Sequence, residues 1–327
     1  MTRHARQMAV PGMGPAAQAR LAAARVLVVG AGGLAAPVLP YLAGAGVGAI
    51  RLVDPDGIEV GNLHRQTLFR MADIGRPKAL AAADSLRALA PGCAVEPVVG
   101  MLDPHNAAAL AEGADVVLDC ADSFAVSYIL SDLCLARGVP LIHASVVGME
   151  GYAGGFCGGA PSLRAVFPDL PPRMGSCAED GVLGPVVGVI GALQAQMALE
   201  VLAGLAPSPL GRLASYDARA HRFGGFAFDA APEPRAAHRF IAPAAIRPGD
   251  FIIDLRAEDE GPLAHPAALR LPADAFGPAG PRPVPGQRAV LCCRSGLRAW
   301  TAAERLAAVW DGEITLVALG DMTGDTA

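Results

Sequence analysis

Several groups of residues in this 327-residue chain have types and spacings that could do chemistry. Gly30, Gly32 and Gly33, followed by Ala35, fit the G-x-G-x-x-[GA] pattern, in which a tight turn brings phosphate oxygens against backbone N–H groups at the positive end of a helix. Asp54, about twenty residues further on, stands where a carboxylate binds ribose hydroxyls. Arg65, Lys78 and Asp122 add both signs of charge: an arginine clamps phosphate oxygens, a lysine supplies a point charge, and a carboxylate holds Mg²⁺. That mixture suits a triphosphate with its metal better than a nicotinamide cofactor, although the glycine turn taken alone serves either. Near the other end of the chain, Cys293 is followed by Arg294, Ser295, Gly296, Leu297 and Arg298. A short loop there can curl its N–H groups into an anion nest, and with the two arginines this favours a thiolate at Cys293.

These residues need elements to position them. Residues 25–29 form a β-branched run ending in Gly30, and 34–45 are apolar over a helical length, so the order is strand, glycine turn, helix. Strands at 49–53, 94–99, 116–119 and 139–144 alternate with helices at 79–90, 105–111 and 123–137, with Ser123 able to cap the last. The pattern predicts a Rossmann-like, doubly wound and mainly parallel sheet, whose ligands lie beyond the carboxyl ends of its strands. Residues 148–181 lose periodicity and read as loops with short antiparallel strands. An apolar helix follows at 185–202. The proline-rich 231–240 suits a linker, dividing a first domain at 1–230 from a second at 241–327. The latter is a smaller α/β unit, with strands at 251–255, 289–292 and 314–319 and a helix at 299–308.

Composition narrows the function classes. With 26 Lys+Arg against 31 Asp+Glu, the net charge of −5 gives no basic field for a phosphate backbone, so nucleic acid is not an expected partner. Hydrophobic residues at 53% against 17% charged exclude a disordered chain. Seven cysteines, an odd and sparse set, and no secretory apolar region near Met1 point to a reducing cytoplasm. Two uncharged stretches, 26–50 and 181–199, reach membrane-spanning length. Their glycines, prolines and glutamines suit a buried α/β core better, and no membrane association is expected.

The ordered blocks Arg6-Gln7, 28–33, 54–56, Asn62 to Gln66, 73–78, 119–122 and 177–184 resemble the ThiF-type adenylating enzymes, relatives of ubiquitin-activating enzymes, over residues 6–217. The resemblance implies ATP and Mg²⁺ binding and adenylation of the C-terminal glycine of a ubiquitin-fold sulfur carrier with a Gly-Gly end, with release of pyrophosphate. By position it implies that Gly30, Gly32, Gly33, Asp54, Asp56, Gly61, Asn62, Leu63, His64, Arg65, Gln66 and Ser123 line the nucleotide. Arg65 and Lys78 would meet its phosphates and Asp122 the magnesium. Arg6 would reach a neighbour's site, which implies a homodimer, and Cys177 stands where some relatives place a cysteine that bonds the activated carrier.

Departures from the family carry expectations too. Ala35 and Ser123 replace the usual Gly and Asn. Many relatives hold a structural zinc with two Cys-x-x-Cys pairs, but residues 161–168 and 232–238 contain no cysteine, so no zinc is expected. The segment after Phe156 must then be held by packing alone or be mobile. Cys93, Cys120, Cys134 and Cys157 read as small apolar filler.

Residues 246–320 resemble a rhodanese-like domain, on Asp254-Leu-Arg256, on 265–272 and on the loop from Cys293 to Arg298, shortened at its C-terminal end. This implies that Cys293, not Cys292, carries a persulfide loaded by a sulfur donor such as a cysteine desulfurase. The two resemblances fit consecutive steps toward a thiocarboxylate, with a carrier of the molybdopterin type preferred to the thiamine type. The competing readings are an NAD-dependent oxidoreductase and a non-catalytic carrier-binding scaffold.

Overall fold

The computed structural model describes residues 3–169, 181–234 and 238–320. The chain divides into two compact units: Met1–Leu102, Asn106–Asp122 and Leu130–Pro234 form the larger, and Asp103–His105, Ser123–Ile129 and Arg235–Ala327 the smaller.

The larger unit opens with helices α1 (Ala5–Met8) and α2 (Gly14–Ala23), strand β1 (Arg25–Val29), helix α3 (Ala35–Ala45) and strand β2 (Ala49–Asp54). It continues with α4 (Lys78–Leu89), β3 (Ala94–Val99), α5 (Ala107–Leu110), β4 (Val116–Asp119), the part of α6 (Phe124–Arg137) from Leu130 onward, and β5 (Pro140–Val147). Strand β6 (Glu150–Cys157), helices α7 (Leu163–Val166) and α8 (Gly184–Ala203), and strands β7 (Arg212–Asp217) and β8 (Arg222–Ala227) complete it. The sheet order is β3-β2-β1-β4-β5-β6-β7-β8. Neighbours are parallel from β3 to β5 and antiparallel from β5 to β8. The apolar β1, with Val26 to Val29 all buried, reflects its place between two parallel neighbours.

The uncharged stretch 26–50 is therefore β1, a turn, α3 and the start of β2 rather than one span. Helix α8 is long and apolar enough to cross a membrane. Here its Val186, Val187, Ile190, Ala195, Met197, Ala198 and Leu202 enter the core beside Leu39, Leu42, Ile142 and Ala153. It ends at Gly204, in the left-handed region, where Leu205 N–H reaches back to Glu200 O at 2.9 Å, a closure that releases the chain from the helix.

Between 148 and 181 the sequence reading of loops and short strands gives way to the eight-residue β6. Its glycines hide it from propensity but are required by packing: a Cβ on Gly155 would stand 2.6 Å from Pro209 O. The segment after Phe156 is not held by packing alone. Ser162, itself buried, donates from N and Oγ to the Glu233 carboxylate at 2.7 and 2.5 Å. Arg164 forks onto Asp132 at 2.6 and 3.0 Å, and Ser131 Oγ accepts Leu163 N–H at 3.1 Å. A carboxylate and a guanidinium thus tie together stretches in which no thiolate is available.

The smaller unit is a parallel sheet ordered β11-β10-β12-β13-β9. Its strands are β9 (Arg239–Phe240), β10 (Phe251–Asp254), β11 (Leu269–Arg270), β12 (Ala289–Cys293) and β13 (Ile314–Ala318), with helix α9 (Leu297–Ala307) after β12. Arg239 and Phe240, read from sequence as the end of a linker, pair with β13 as an edge strand. Ile252, Val290, Cys292 and Val317 pack together in its core.

Replacing Glu233 by Ala removes an acceptor that serves two donors, a loss of about 1–2 kcal/mol once partial exposure is allowed for. We expect Tm to fall by roughly 2–6 °C in a thermal melt. Treatment with a chelator should leave the wild-type Tm unchanged; a chelator-induced fall would show that a metal, not this carboxylate, holds the segment.

Candidate functional site

The carboxyl ends of β2, β1 and β4 lie side by side, and the glycine turn between β1 and α3 sits over them. Gly30 has φ +94°, and a Cβ there would stand 2.6 Å from Cys120 O, so the turn closes on the β4 exit only because residue 30 has no side chain. Gly33 is equally confined, with Val187 Cγ1 at 2.8 Å and Arg65 Cγ at 3.4 Å from its would-be Cβ. In the first turn of α3, Ala36 N–H donates to Gly32 O at 3.1 Å and Val38 N–H to Leu34 O at 3.4 Å, and Pro37 has no N–H, so an anion would be met by the glycine turn that precedes the helix.

Asp54 braces this turn. Its Oδ2 accepts Ala31 N–H at 2.6 Å and its Oδ1 accepts Asp56 N–H at 2.8 Å, while the residue is only 5% exposed. Burial raises its carboxyl above the ordinary value; the Ala31 N–H, the Lys78 ammonium and the Asp56 N–H oppose that rise. Asp56 carries the brace onward, accepting Lys78 Nζ at 2.7 Å. The Lys78 side chain is 7% exposed and that of Asp56 61%, so the pair is buried on the lysine side and open on the other.

The segment Gly61 to Gln66 closes another side. Arg65 donates to Asn62 Oδ1 at 3.2 Å and Gly61 O at 3.4 Å, and lies 2.8 Å from His64 Nε2. Gly184, the first residue of α8, approaches so closely that a Cβ would stand 2.4 Å from His64 O. Leu63 packs against the core. Gln66 is 3% exposed and its Oε1 is buried with no hydrogen-bond partner among the described residues, beside Gly32. A buried orphan acceptor next to a side-chain-free turn fits a site that a polar ligand completes.

At the end of β4, Asp119 is fully buried. Its Oδ1 accepts Ala121 N–H at 3.1 Å, and its Oδ2 lies 2.8 Å from His143 Nδ1. The other ring nitrogen of His143 lies 3.0 Å from the Tyr152 hydroxyl. Gln194 of α8 donates to Asp119 O at 2.7 Å and Ile142 O at 3.0 Å. This network fixes the turn that presents the exposed Asp122. The sequence reading missed it; the available signal was a polar His143 inside the otherwise apolar β5. Ser123 O accepts Ser127 N–H at 3.1 Å, the first hydrogen bond of α6.

Of the other residues singled out from sequence, Arg6 is exposed on α1. That helix is fastened by Gln7 Nε2, which donates to Ala45 O at 2.9 Å and Gln18 Oε1 at 2.8 Å. Cys177 lies outside the described residues. Cys93, Cys120, Cys134 and Cys157 are buried, and burial pushes their thiols up, that of Cys157 to about 12.

In the smaller unit, Cys293 ends β12 and its Sγ accepts Gly296 N–H at 3.1 Å and Ala299 N–H at 3.3 Å, forming the expected nest. The expectation of a favoured thiolate needs correction. Cys293 is fully buried, and burial raises its thiol above the ordinary value more than the Ala299 and Gly296 N–H groups and Arg298 lower it. Cys292 turns into the apolar core, its thiol pushed up to about 12. Burial raises the Asp254 carboxyl, but Arg256 and the N–H groups of Arg256 and Ala264 hold it below its ordinary value. Arg298 forks onto Glu260 at 2.6 and 2.5 Å.

A sequence profile described as the ThiF family matches residues 4–236. This chain belongs to the ThiF family. Among curated relatives of this ThiF-family chain, the bovine adenylyltransferase and sulfurtransferase MOCS3 is 46% identical over 219 residues, covering 66% of this chain and 48% of that protein. The SAMP-activating enzyme E1 of Haloferax volcanii is 40% identical over 220 residues, covering 67% of this chain and 82% of that protein. The chain thus spans about half the length of relatives such as MOCS3. Escherichia coli MccB, solved with ATP, shares the fold at a TM-score of 0.62 with 22% identity, covering 70% of this chain and 72% of that one. The nicotinamide alternative finds no support in these likenesses.

Gly30→Ala should lower Tm and remove nucleotide binding in a calorimetric titration, because its Cβ meets backbone and its φ is left-handed. Gly44→Ala, with open space about its Cβ, should instead gain about 0.5–1 kcal/mol. The Arg298 guanidinium, aided by Ala257 N–H, holds the Glu260 carboxyl at about 2, below its ordinary 4.5. The stabilisation from this depressed carboxyl is present above 4.5 and lost as pH falls through about 2. Carboxyl NMR should place the Glu260 titration there and find it raised toward 4.5 in Arg298→Gln, where Ala257 N–H and Arg256 still lower it; no change in the variant would remove the ion pair as its cause.

Proposed function

We propose that the larger unit adenylates the C-terminal glycine of a ubiquitin-fold sulfur carrier with ATP, and that the smaller unit supplies sulfur through a persulfide on Cys293. The observation that carries the first half is the convergence on the Gly30–Gly33 turn of Asp54, the Lys78–Asp56 pair and the Arg65 stem. The likeness to MOCS3 and to the SAMP-activating enzyme supports the reading.

In this reaction the carrier's glycine carboxylate, already ionised at neutral pH, attacks the α-phosphorus of ATP and pyrophosphate leaves. Arg65 and Lys78 balance the charge that gathers on the phosphates, and the glycine turn holds them in place. Lys78 is released to the phosphates by exchanging its Asp56 partner for them. Mg²⁺, held by Asp122, would neutralise phosphate charge and orient the leaving group. In the second unit the Cys293 persulfide, loaded by a donor such as a cysteine desulfurase, attacks the acyl-adenylate and displaces AMP, leaving an acyl disulfide on Cys293; a thiol, such as the one the donor leaves behind, then attacks the Cys293 sulfur, forms a disulfide with it and releases the carrier thiocarboxylate. Cys177 is a candidate for holding the acyl group between these steps. We place the enzyme in the cytoplasm as a homodimer in which Arg6 serves the neighbouring site, without structural zinc. A molybdopterin-type carrier is preferred to a thiamine-type one.

ATP–pyrophosphate exchange with a panel of Gly-Gly-ended carriers tests the reading. Exchange should require the carrier and fall about 10²–10³-fold in Lys78→Ala and in Asp122→Ala, while Cys293→Ala exchanges normally. Measurable ATP binding without exchange on any carrier would refute adenylation and favour a carrier-binding scaffold.

A further inference from the structure

The exit of β4 is gripped from both faces of the large sheet. From α8, Gln194 Nε2 donates to Asp119 O at 2.7 Å, while Gln194 Oε1 accepts Cys120 Sγ at 3.3 Å. Ile142 and Ala144 of β5 lie in the core with α8, so His143 between them projects to the opposite face. There its Nδ1 lies 2.8 Å from Asp119 Oδ2 and its Nε2 3.0 Å from the Tyr152 hydroxyl. Aromatic neighbours fix the imidazole: Phe156 stands edge-on to it at 6.1 Å, and Tyr152, tilted to it at 5.6 Å, is stacked on Phe167 at 5.5 Å.

The hydrogen bonds of this relay run one way. An ionised carboxylate only accepts, so His143 Nδ1 carries the proton that faces Asp119. In the neutral ring Nε2 is then the acceptor, and the Tyr152 hydroxyl donates to it. The relay ends on a carboxylate whose other oxygen, Oδ1, accepts Ala121 N–H at 3.1 Å. Burying such a relay costs desolvation that apolar side chains of the same volume would avoid. What it provides is orientation. Ala121 immediately precedes Asp122, and the carbonyl of Cys120 is the group on which the glycine turn closes, 2.6 Å from a would-be Cβ on Gly30. One orientation of the Asp119 carboxylate therefore registers both Asp122 and the glycine turn.

We propose that His143 is a positioning residue for carboxylate adenylation, an inference that rests on the adenylation reading above. In its Nδ1–H form it locks the Asp119 carboxylate, so that the glycine turn and Asp122 keep the triphosphate in line for the incoming glycine carboxylate. Tyr152 selects that form by giving Nε2 a donor. His143 acts through Asp119 and needs no contact with either reactant.

The test combines imidazole NMR with ATP–pyrophosphate exchange on the full chain and a Gly-Gly-ended carrier. An Asn side chain puts an amide N–H where His143 Nδ1–H stands, whereas Gln reaches the place of Nε2 and Leu offers no donor. His143→Asn should therefore keep most of the wild-type kcat. His143→Gln and His143→Leu should lose about 10–10²-fold in kcat, with the carrier's KM unchanged, and Tyr152→Phe should lose less. Proton–nitrogen spectra of the wild-type protein should show the His143 proton on Nδ1 and none on Nε2. A proton on Nε2 would overturn the proposal, as would unchanged exchange in a folded His143→Leu. An equal fall in the Asn, Gln and Leu variants that follows their Tm would give His143 a purely bracing role, leaving the adenylation reading standing and the positioning proposal refuted. If the wild-type chain binds ATP but exchanges with no carrier, the adenylation reading falls and this proposal with it.

Discussion

The Asp54 carboxylate is the constraint on which the nucleotide end of the larger unit depends. A buried carboxylate is costly unless its oxygens are satisfied, and Asp54 is satisfied by joining two loops: Ala31 from the glycine turn and Asp56 from the exit of β2. Everything else in the crevice is referred to that junction. Lys78 is drawn in by Asp56, the Arg65 stem lies against Gly33, and the β4 exit lies against Gly30. The glycines are there because side chains would drive these parts apart, and the carboxylate because glycine alone would leave the turn loose.

The same logic recurs elsewhere with different groups. The Ser162–Glu233 and Arg164–Asp132 contacts tie the chain after β6 by charge-assisted hydrogen bonds. Asp119, bridging to His143 and Tyr152, stiffens the turn before Asp122. In the smaller unit Asp254 gathers Arg256 and Ala264, and Glu260 gathers Arg298 and Ala257. Paired carboxylates, from the buried Asp119 and Asp254 to the exposed Glu233, are the recurring fasteners.

The parts legible in sequence were those with a strong local signature. A β-branched run meeting glycine announced β1 and its turn, and alternating strand and helix lengths announced the parallel order from β3 to β5. Cys293 was separated from Cys292 by its place in the loop that resembles the rhodanese one, and the strand agrees, with Cys292 in the core and Cys293 Sγ on the loop N–H groups. What escaped was set by partners remote in the chain. Strand β6 is glycine-rich for packing reasons and so lacks strand propensity. The pairings Lys78–Asp56, Ser162–Glu233 and Asp119–His143 join residues 22, 71 and 24 positions apart, and nothing local says which residue is the partner of which. The thiol of Cys293 was expected to ionise readily from its neighbours' charge; its complete burial, a property of the tertiary fold, reverses the balance.

We propose that one chain both activates a carrier's terminal carboxylate and replaces its oxygen with sulfur. The intact mass of a Gly-Gly-ended carrier after incubation with this protein, ATP, Mg²⁺ and a persulfide donor tests both steps at once. Carrier in which one oxygen has been exchanged for sulfur should form, and only when both Lys78 and Cys293 are present. A carrier that emerges unchanged, or one that gains sulfur without ATP, would contradict it.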